Sequence, residues 1–337
     1  MVASKREFQL AGFLFAIGSA ASFALSGIFA SALIAAGWSP GAAATARITL
    51  SSLVLLGPTL VVMRGSWHQL RAAWVPIVLF GVLGVTVPQL CYFIAIQYIP
   101  PSLALLIEFL GPVLLVFYMW ARTRIAPSLL TLLGAALALL GLGAISGLAL
   151  GGALHPLGVL FGLFAAVGLA SYFVIAARED HGVSAMPFTG LGLIAAAVLL
   201  LGVSALGLLP IEMTTTPTVI AGAQLPTWVT VTLMVLISTV LSYVLGVLAA
   251  RKLGATVASF TAYSEALFGI FWTILLLAIV PTPMQWVGAA LIIAGVVTVK
   301  LGELQRARRR SSEHAAKQQA SAQQQASAQQ QDSAQQA

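Results

Sequence analysis

One stretch of this sequence, Pro127-Ser-Leu-Leu-Thr-Leu-Leu-Gly-Ala-Ala-Leu137, returns 154 residues later as Pro281-Thr-Pro-Met-Gln-Trp-Val-Gly-Ala-Ala-Leu291. Gly141 and Gly295 extend the match at the same offset. Earlier in each half, small residues repeat at an offset of 146, pairing Gly12, Ala16, Ala20 and Ala24 with Gly158, Gly162, Ala166 and Ala170. Small residues at every fourth position also allow close helix packing in lipid, which is an alternative explanation of this second match. The shared proline and the glycines in register favour an internal duplication.

The chain is too apolar for a water-soluble domain. It is 60% hydrophobic and 7% charged, with a mean hydropathy of +1.01, whereas soluble domains contain about 25% charged residues. A transmembrane helix needs roughly 20 mostly apolar residues, and Pro and Gly separate ten such segments. These segments are 11–36, 41–63, 74–97, 101–121, 127–148, 156–177, 187–209, 227–249, 255–279 and 283–301. The predicted fold class is all-α integral membrane with ten transmembrane helices.

Lys and Arg occur in every second gap between the apolar segments. They lie at Lys5 and Arg6, Arg64 and Arg71, Arg122 and Arg124, Arg178, Arg251 and Lys252, and Lys300 with Arg306 to Arg310. The gaps around Trp38, Ile99, Gly151, Met213 and Val280 contain neither. This positive-inside pattern predicts a multi-pass protein of the cell inner (plasma) membrane with cytoplasmic N- and C-termini. The net charge of +7 then reflects the orientation of the chain in a lipid bilayer. The sequence has no basic patch interleaved with aromatic residues, so it gives no indication of nucleic-acid binding.

Five helices per half is an odd number, so we expect the second copy to enter the membrane inverted. The predicted units are a cytoplasmic N-terminus over 1–10, a first repeat over 11–148, a second repeat over 156–301, and a disordered Gln/Ala/Ser-rich cytoplasmic tail over 302–337. Two inverted five-helix repeats are typical of alternating-access carriers, in which a small-molecule substrate binds near the membrane midplane. The pattern therefore predicts a secondary transporter.

Other classes of protein find less support. The chain has no P-loop lysine motif, which argues against ATP-driven pumping by this chain alone. A membrane-embedded enzyme would need a nucleophile or metal constellation at one depth, and a scaffold has little reason to place charges in lipid. The four histidines fall outside the predicted spans, at His68, His155, His181 and His314. We therefore expect no metal site, no cofactor and no enzymatic activity.

Several motifs carry a resemblance to a known family. In the first half they are Thr45-Ala-Arg47-Ile, Pro88-Gln-Leu-Cys-Tyr-Phe-Ile-Ala-Ile-Gln97 and Pro101-Ser-Leu-Ala-Leu-Leu-Ile-Glu108-Phe-Leu-Gly-Pro112. In the second half they are Ser238-Thr-Val-Leu-Ser-Tyr243 and Ser264-Glu265-Ala266, where Ala266 replaces an expected proline. The chain resembles EamA-type transporters of the drug/metabolite transporter (DMT) superfamily, most closely the threonine/homoserine exporters. The resemblance implies export of amino acids, and export of drugs or other metabolites is the alternative.

Three ionisable residues lie deep within the predicted spans: Arg47, Glu108 and Glu265. A charge at a helix centre costs about 2.5–3.5 kcal/mol on insertion scales, so a functional role is the first hypothesis. Helical rise places Arg47 and Glu108 each roughly 10 Å from the same face of the membrane. We predict that they pair directly or through water. The alternatives are that Arg47 snorkels to lipid headgroups or binds a substrate carboxylate.

Two prolines are predicted to bend helices at the site. Pro112 cannot donate a hydrogen bond to the carbonyl of Glu108, and Pro88 cannot donate one to the carbonyl of Gly84. Interrupted helices at membrane depth are tolerated where the freed carbonyl faces a cavity, and they point to transporter sites. A structural kink without further function is the alternative.

The remaining candidates are polar residues on the same helices. Glu265 shares a helical face with Thr261, Ser264, Phe268 and Trp272 by i, i+3, i+4 spacing. Gln89 corresponds to Tyr243 at the 154-residue offset. We expect Gln89, Tyr243 and Ser264 to contact substrate, although each could instead form a helix–helix hydrogen bond. Carboxyl groups removed from water readily hold a proton, so coupling to protons is possible beside facilitated diffusion or exchange.

Overall fold

Apolar helices make up nearly all of this computed structural model, which describes residues 2–99, 101–145, 155–180, 182–277 and 280–305. Within these ranges, nine helices are long and apolar enough to cross a membrane, and a shorter apolar helix lies near the middle of the chain. An α-helical membrane protein is thus confirmed. The shorter helix belongs to the predicted fifth span, 127–148, which continues past Ile145 into residues outside the described ranges, so the count of ten spans stays a prediction. Most of the tail predicted to be disordered lies outside the described residues.

The helices alternate in direction along the chain. The first half contains α1 (Val2–Ala35), α2 (Pro40–Val62), α3 (Trp67–Ala95), α4a (Pro101–Glu108), α4b (Gly111–Thr123) and α5 (Leu129–Ile145). The second half contains α6 (Pro156–Ala176), α7 (Ala185–Ala205), α8 (Thr227–Leu253), α9a (Ala255–Thr261), α9b (Ser264–Leu277) and α10 (Pro283–Gln305). We call the end of the bundle that carries Arg64 and Arg251 the basic end, and the opposite end, which carries Trp38, the neutral end.

A small hairpin departs from the all-α prediction. β1 (Thr218–Ile220) pairs antiparallel with β2 (Ala223–Leu225) in the α7–α8 connection. The strands contain β-branched residues, and Ala221 and Gly222 both have positive φ between them, as a two-residue hairpin turn requires. An isolated pair of short strands is marginal in water. Here the buried side chain of Ile220 anchors it against α1 and α8.

The α7–α8 connection is also clasped to the α1–α2 turn. Ser39 Oγ donates to the carbonyl of Pro210 at 2.7 Å, and Trp38 Nε1 donates to the carbonyl of Thr214 at 2.8 Å. Glu212 N–H in turn donates to Ser39 Oγ at 3.1 Å. These bonds tie the two halves of the chain together at the neutral end.

Two helices widen at related positions. α3 contains a π-helical segment at Phe80–Thr86, and α8 contains one at Leu236–Leu241. At the 154-residue offset the first would fall at 234–240, so the two segments overlap. Pro88 lies in the first α-helical turn after the segment in α3. π segments are rare and occur preferentially at functional sites.

Two other helices are interrupted at equivalent positions. α4a ends at Glu108 and α4b begins at Gly111, while α9a ends at Thr261 and α9b begins at Ser264. The bounds of the two interruptions differ by 153 residues, within one residue of the 154-residue offset. Pro112 lies in the first turn of α4b, where a missing N–H leaves no helical bond unmade. α9, predicted as one helix over 255–279, breaks without a proline.

Glycines bring α5 and α10 into backbone contact. A Cβ atom added to Gly134 would lie 2.7 Å from the carbonyl oxygen of Gly295, and one added to Gly141 would lie 2.5 Å from that of Gly288. Gly288 and Gly295 are the counterparts of Gly134 and Gly141 at the 154-residue offset. α5 and α10 therefore cross in antiparallel orientation. Replacing each glycine by its counterpart turns the Gly134–Gly295 contact into the Gly288–Gly141 contact, so the two contacts are equivalent.

Candidate functional site

A large cavity lies between the two halves, with a volume of about 1080 Å³. Its wall includes parts of α1, α3, α4, α6, α8 and α9, together with α2. It extends from Ala16 and Ala249, toward the basic end, to Ala35, Val219 and Pro281 at the neutral end. This size is in the range of cavities that hold small-molecule ligands.

The three membrane-embedded charges all line this cavity. Arg47 comes from α2, Glu108 from the last residue of α4a, and Glu265 from the first turn of α9b. Both carboxylates therefore lie at helix interruptions. Arg47 interacts electrostatically with each of them. The fold thus gathers the charges that the sequence distributes over three helices.

Arg47 is held by α1. Its Nη1 donates to Ser26 Oγ, and its guanidinium lies 5.3 Å from the centre of the Phe23 ring. The residue is 6% exposed, and its Nε has no hydrogen-bond partner among the described residues. We predicted that Arg47 pairs with Glu108 directly or through water; no direct ion pair between them is found among the described residues, and pairing through water stays a prediction. Arg47 lines the cavity although its Nε is fully buried, so the guanidinium places a positive charge at the cavity wall.

The other predicted residues divide into two groups. Gln89, Tyr243 and Pro88 line the cavity. Ser264 does not; it is the first residue of α9b, and its hydroxyl donates across the interruption to the carbonyl of Thr261 at 2.7 Å. Pro112 is buried at the start of α4b, outside the cavity wall.

Sequence analysis did not select the residues of α1 and α6 that support the site. Ser26 and Phe23 contact Arg47, and Tyr172 packs edge-on against Tyr243, with ring centres 5.9 Å apart. The signal on α1 was available, since Ser19, Ser22 and Ser26 share one helical face. Ser19 Oγ donates to the carbonyl of Ser242 on α8 at 2.8 Å.

A comparison with models of known protein families supports the internal duplication of the chain. The model of the EamA-like transporter family matches residues 10–147 and again residues 156–301. The chain therefore belongs to the EamA-like transporter family and is a multi-pass membrane transporter. The two matches begin 146 residues apart, the offset already seen between α1 and α6.

A solved structure titled "Crystal structure of protein" is similar in fold. The match covers 88% of this chain and 97% of the other, with a TM-score of 0.68 and 20% sequence identity. No curated protein matches the chain. The likeness therefore establishes a shared architecture.

Proposed function

We propose that this EamA-family protein is a secondary transporter that exports small polar metabolites, foremost amino acids, by alternating access. The observation that carries the proposal is one cavity that holds a guanidinium and two carboxylates at the interruptions of two helices. Catalysis would not require these charges to line a cavity between two duplicated halves. Transport uses that arrangement, since a carrier's substrate binds where its repeats meet.

The crossed contacts support two inverted repeats. Applying the 154-residue offset to the Gly134–Gly295 contact gives the Gly141–Gly288 contact. A two-fold axis between the repeats requires such an exchange. The α5 and α10 backbones run in opposite directions at this contact, which fits an axis lying in the membrane plane. Five helices in each half would produce this inversion.

The charges suit a zwitterionic substrate. A substrate carboxylate would be attracted to the guanidinium of Arg47 at the cavity wall and accept a hydrogen bond from it. Its ammonium group would meet Glu108 or Glu265, and Gln89 and Tyr243 would offer uncharged hydrogen-bonding groups. A proton on either carboxyl group would take the place of the ammonium after release, which links the site to proton coupling or exchange.

The distribution of Lys and Arg orients the protein in the plasma membrane with its termini and basic end in the cytoplasm. The cavity reaches the neutral end, while α1 and α8 pack closely near the basic end. A Cβ added to Gly12 would lie 2.9 Å from both Lys252 and Leu253. With the basic end in the cytoplasm, this arrangement would be the outward-facing state of the proposed carrier.

Export of bulkier drugs or other metabolites is the second candidate. The cavity is far larger than a threonine molecule, and Phe23, Tyr92, Phe93 and Phe109 contribute aromatic surface to its wall. Such a wall would accommodate an apolar body attached to the charged group.

Counterflow in proteoliposomes distinguishes the candidates. Vesicles are preloaded with one unlabelled amino acid at a time, with threonine and homoserine first, and the uptake of labelled substrate is measured. We expect uptake with the wild type and its loss in Glu108→Gln. Glu212→Gln, in the α7–α8 connection outside the cavity, is the matched control. Absence of counterflow with every amino acid, from folded protein, would reject the amino-acid assignment in favour of the second candidate.

A further inference from the structure

The two repeats provide a map between equivalent residues, and contacts at the two ends support it. Gly12 of α1 packs against Leu253 of α8, and Gly158 of α6 packs against Ile99 after α3. Gly158 is the counterpart of Gly12 at offset 146, and Leu253 is the counterpart of Ile99 at offset 154. The two offsets therefore relate the contact between α1 and α8 to the contact between α6 and α3.

Tyr172 bridges α6, α8 and α3 near the basic end of the cavity, where only Ala16 and Ala249 line it further toward that end on α1 and α8. Its hydroxyl lies against Gly246 of α8, where any added Cβ would collide with it, and its backbone lies 3.1 Å from the Cβ position of Gly84 on α3. Ser19 of α1 completes this layer, 3.0 Å from the same Gly246 position. A bulky residue on α6 thus sits on a glycine of α8.

The counterparts of Tyr172 and Gly246 in the other repeat form a second pair of residues. Tyr172 corresponds to Ser26 at offset 146, and Gly246 corresponds to Tyr92 at offset 154. The pair again combines one tyrosine with one small residue, but the tyrosine is now on α3 and the small residue on α1. Both Ser26 and Tyr92 line the cavity on its neutral side.

We propose that Tyr172 and Tyr92 are the two gates of this transporter. Tyr172 rests on Gly246 in the present state, and Tyr92 closes on Ser26 when the basic end opens. Ser26 also accepts the hydrogen bond from Arg47, so the seat of the neutral gate directly contacts the charged site. This inference rests on the proposed alternating access and adds the residues that seal each side.

The basic gate is tested by the side from which a thiol reagent reaches the cavity. Cys91 is replaced by Ala, and Gly269, which lines the cavity with nothing within 4 Å of an added Cβ, becomes the reporter in Gly269→Cys. Tyr172→Ala should raise labelling by an impermeant maleimide several-fold from the basic side only. Tyr118→Ala, exposed on α4b, is the control. Unchanged basic-side labelling in Tyr172→Ala would overturn the assignment.

A compensating pair guards against a folding defect. Gly246→Ala places a methyl group against the Tyr172 hydroxyl, so it should also raise basic-side labelling. Adding Tyr172→Phe removes that hydroxyl and should restore the slow rate of the parent. Failure of the double variant to recover, in monodisperse protein, contradicts the proposed contact.

The neutral gate is tested by cross-linking. Ser26→Cys with Tyr92→Cys, in the Cys91→Ala background, should be bridged by a short bis-methanethiosulfonate, as measured by mass spectrometry. Gly27→Cys with Tyr92→Cys is the matched control, because Gly27 also lines the cavity but lies one position further along α1. Equal bridging of the two pairs, or none in the Ser26 pair, rejects this gate.

Neither readout requires a substrate. Labelling and bridging as expected, without counterflow of any amino acid, would uphold the gates and reject the substrate assignment. Counterflow that persists with unchanged labelling and no bridging would uphold the transporter and reject the gates.

Discussion

Tyr263 Oη donates a hydrogen bond of 2.6 Å to the carbonyl oxygen of Phe109. The two residues are 154 positions apart and lie in the interruptions of α9 and α4, so each is the counterpart of the other. In the proposed two-fold arrangement of the repeats, a residue meets its own counterpart only near the axis. The bond therefore places the two helix interruptions side by side at the centre of the molecule. It also satisfies a carbonyl at the break, since Val113 N–H donates to Leu110 instead.

Tyr263→Phe should destabilise the protein. The buried carbonyl of Phe109 would lose its donor, which costs about 1–3 kcal/mol when no water replaces it. The expected result is a lower thermal midpoint in detergent, measured by intrinsic fluorescence. Tyr118→Phe removes a hydroxyl from an exposed position on α4b and should leave the midpoint unchanged. Equal midpoints for both variants would contradict a structural role for this bond.

Gly134→Leu should separate α5 from α10. The glycine backbone contacts Gly295 so closely that a side chain must displace the facing helix. Overpacking of this kind costs about 1–3 kcal/mol, and we expect a lower thermal midpoint and loss of monodispersity in size-exclusion chromatography. Gly143→Leu on the same helix is the control, because nothing lies within 4 Å of its Cβ position. Comparable behaviour of the two variants would count against the crossing.

Ser26→Ala should lower both the stability of the protein and its transport activity, because Ser26 holds Arg47 in place. The substitution removes the acceptor of a buried guanidinium donor, which costs about 1–3 kcal/mol, and frees Arg47 to change its orientation in the cavity. We expect a lower thermal midpoint together with reduced counterflow. Ser22→Ala, one helical turn earlier on α1, controls for loss of a hydroxyl. If Ser26→Ala lowers neither quantity more than Ser22→Ala does, the contact has no energetic role.

Ser39→Ala should loosen the neutral end. Ser39 Oγ accepts the N-cap bond from Ala42 N–H at 3.1 Å and also links α2 to the α7–α8 connection. Loss of an N-cap costs about 0.5–2 kcal/mol, and hydrogen exchange over 208–217 should accelerate. Ser184→Ala is matched to it, since Ser184 precedes α7 without a side-chain cap bond. Similar exchange in both variants would argue against the clasp.

The membrane class and most helix limits were predictable from the sequence. Nine of the predicted segments correspond to helices that meet the hydrocarbon length requirement within the described residues, and each does so whatever its neighbours are. The first helix extends to Val2 and the last to Gln305, beyond the predicted spans, because helix ends can continue past the lipid. The hairpin at 218–225 was missed, since three-residue strands carry too little pattern to detect.

The site was predictable in part. Arg47, Glu108 and Glu265 stand out because charge in lipid is costly, and all three line the cavity. The partner of Arg47 was not predictable, since depth along a helix says nothing of its rotation about its axis. Equal depth favoured Glu108, but α1 presents Ser26 to the guanidinium instead.

The sequence by itself determined the number and placement of apolar segments, the alternation of basic gaps and the duplication at a 154-residue offset. These are local properties, decided by the composition of each segment and by the lipid around it. Only the tertiary structure decided that α9 breaks without a proline, that Ser264 stays out of the cavity and that Tyr172 rests on Gly246. Such features depend on which helix faces meet, and close packing between several helices selects those faces together.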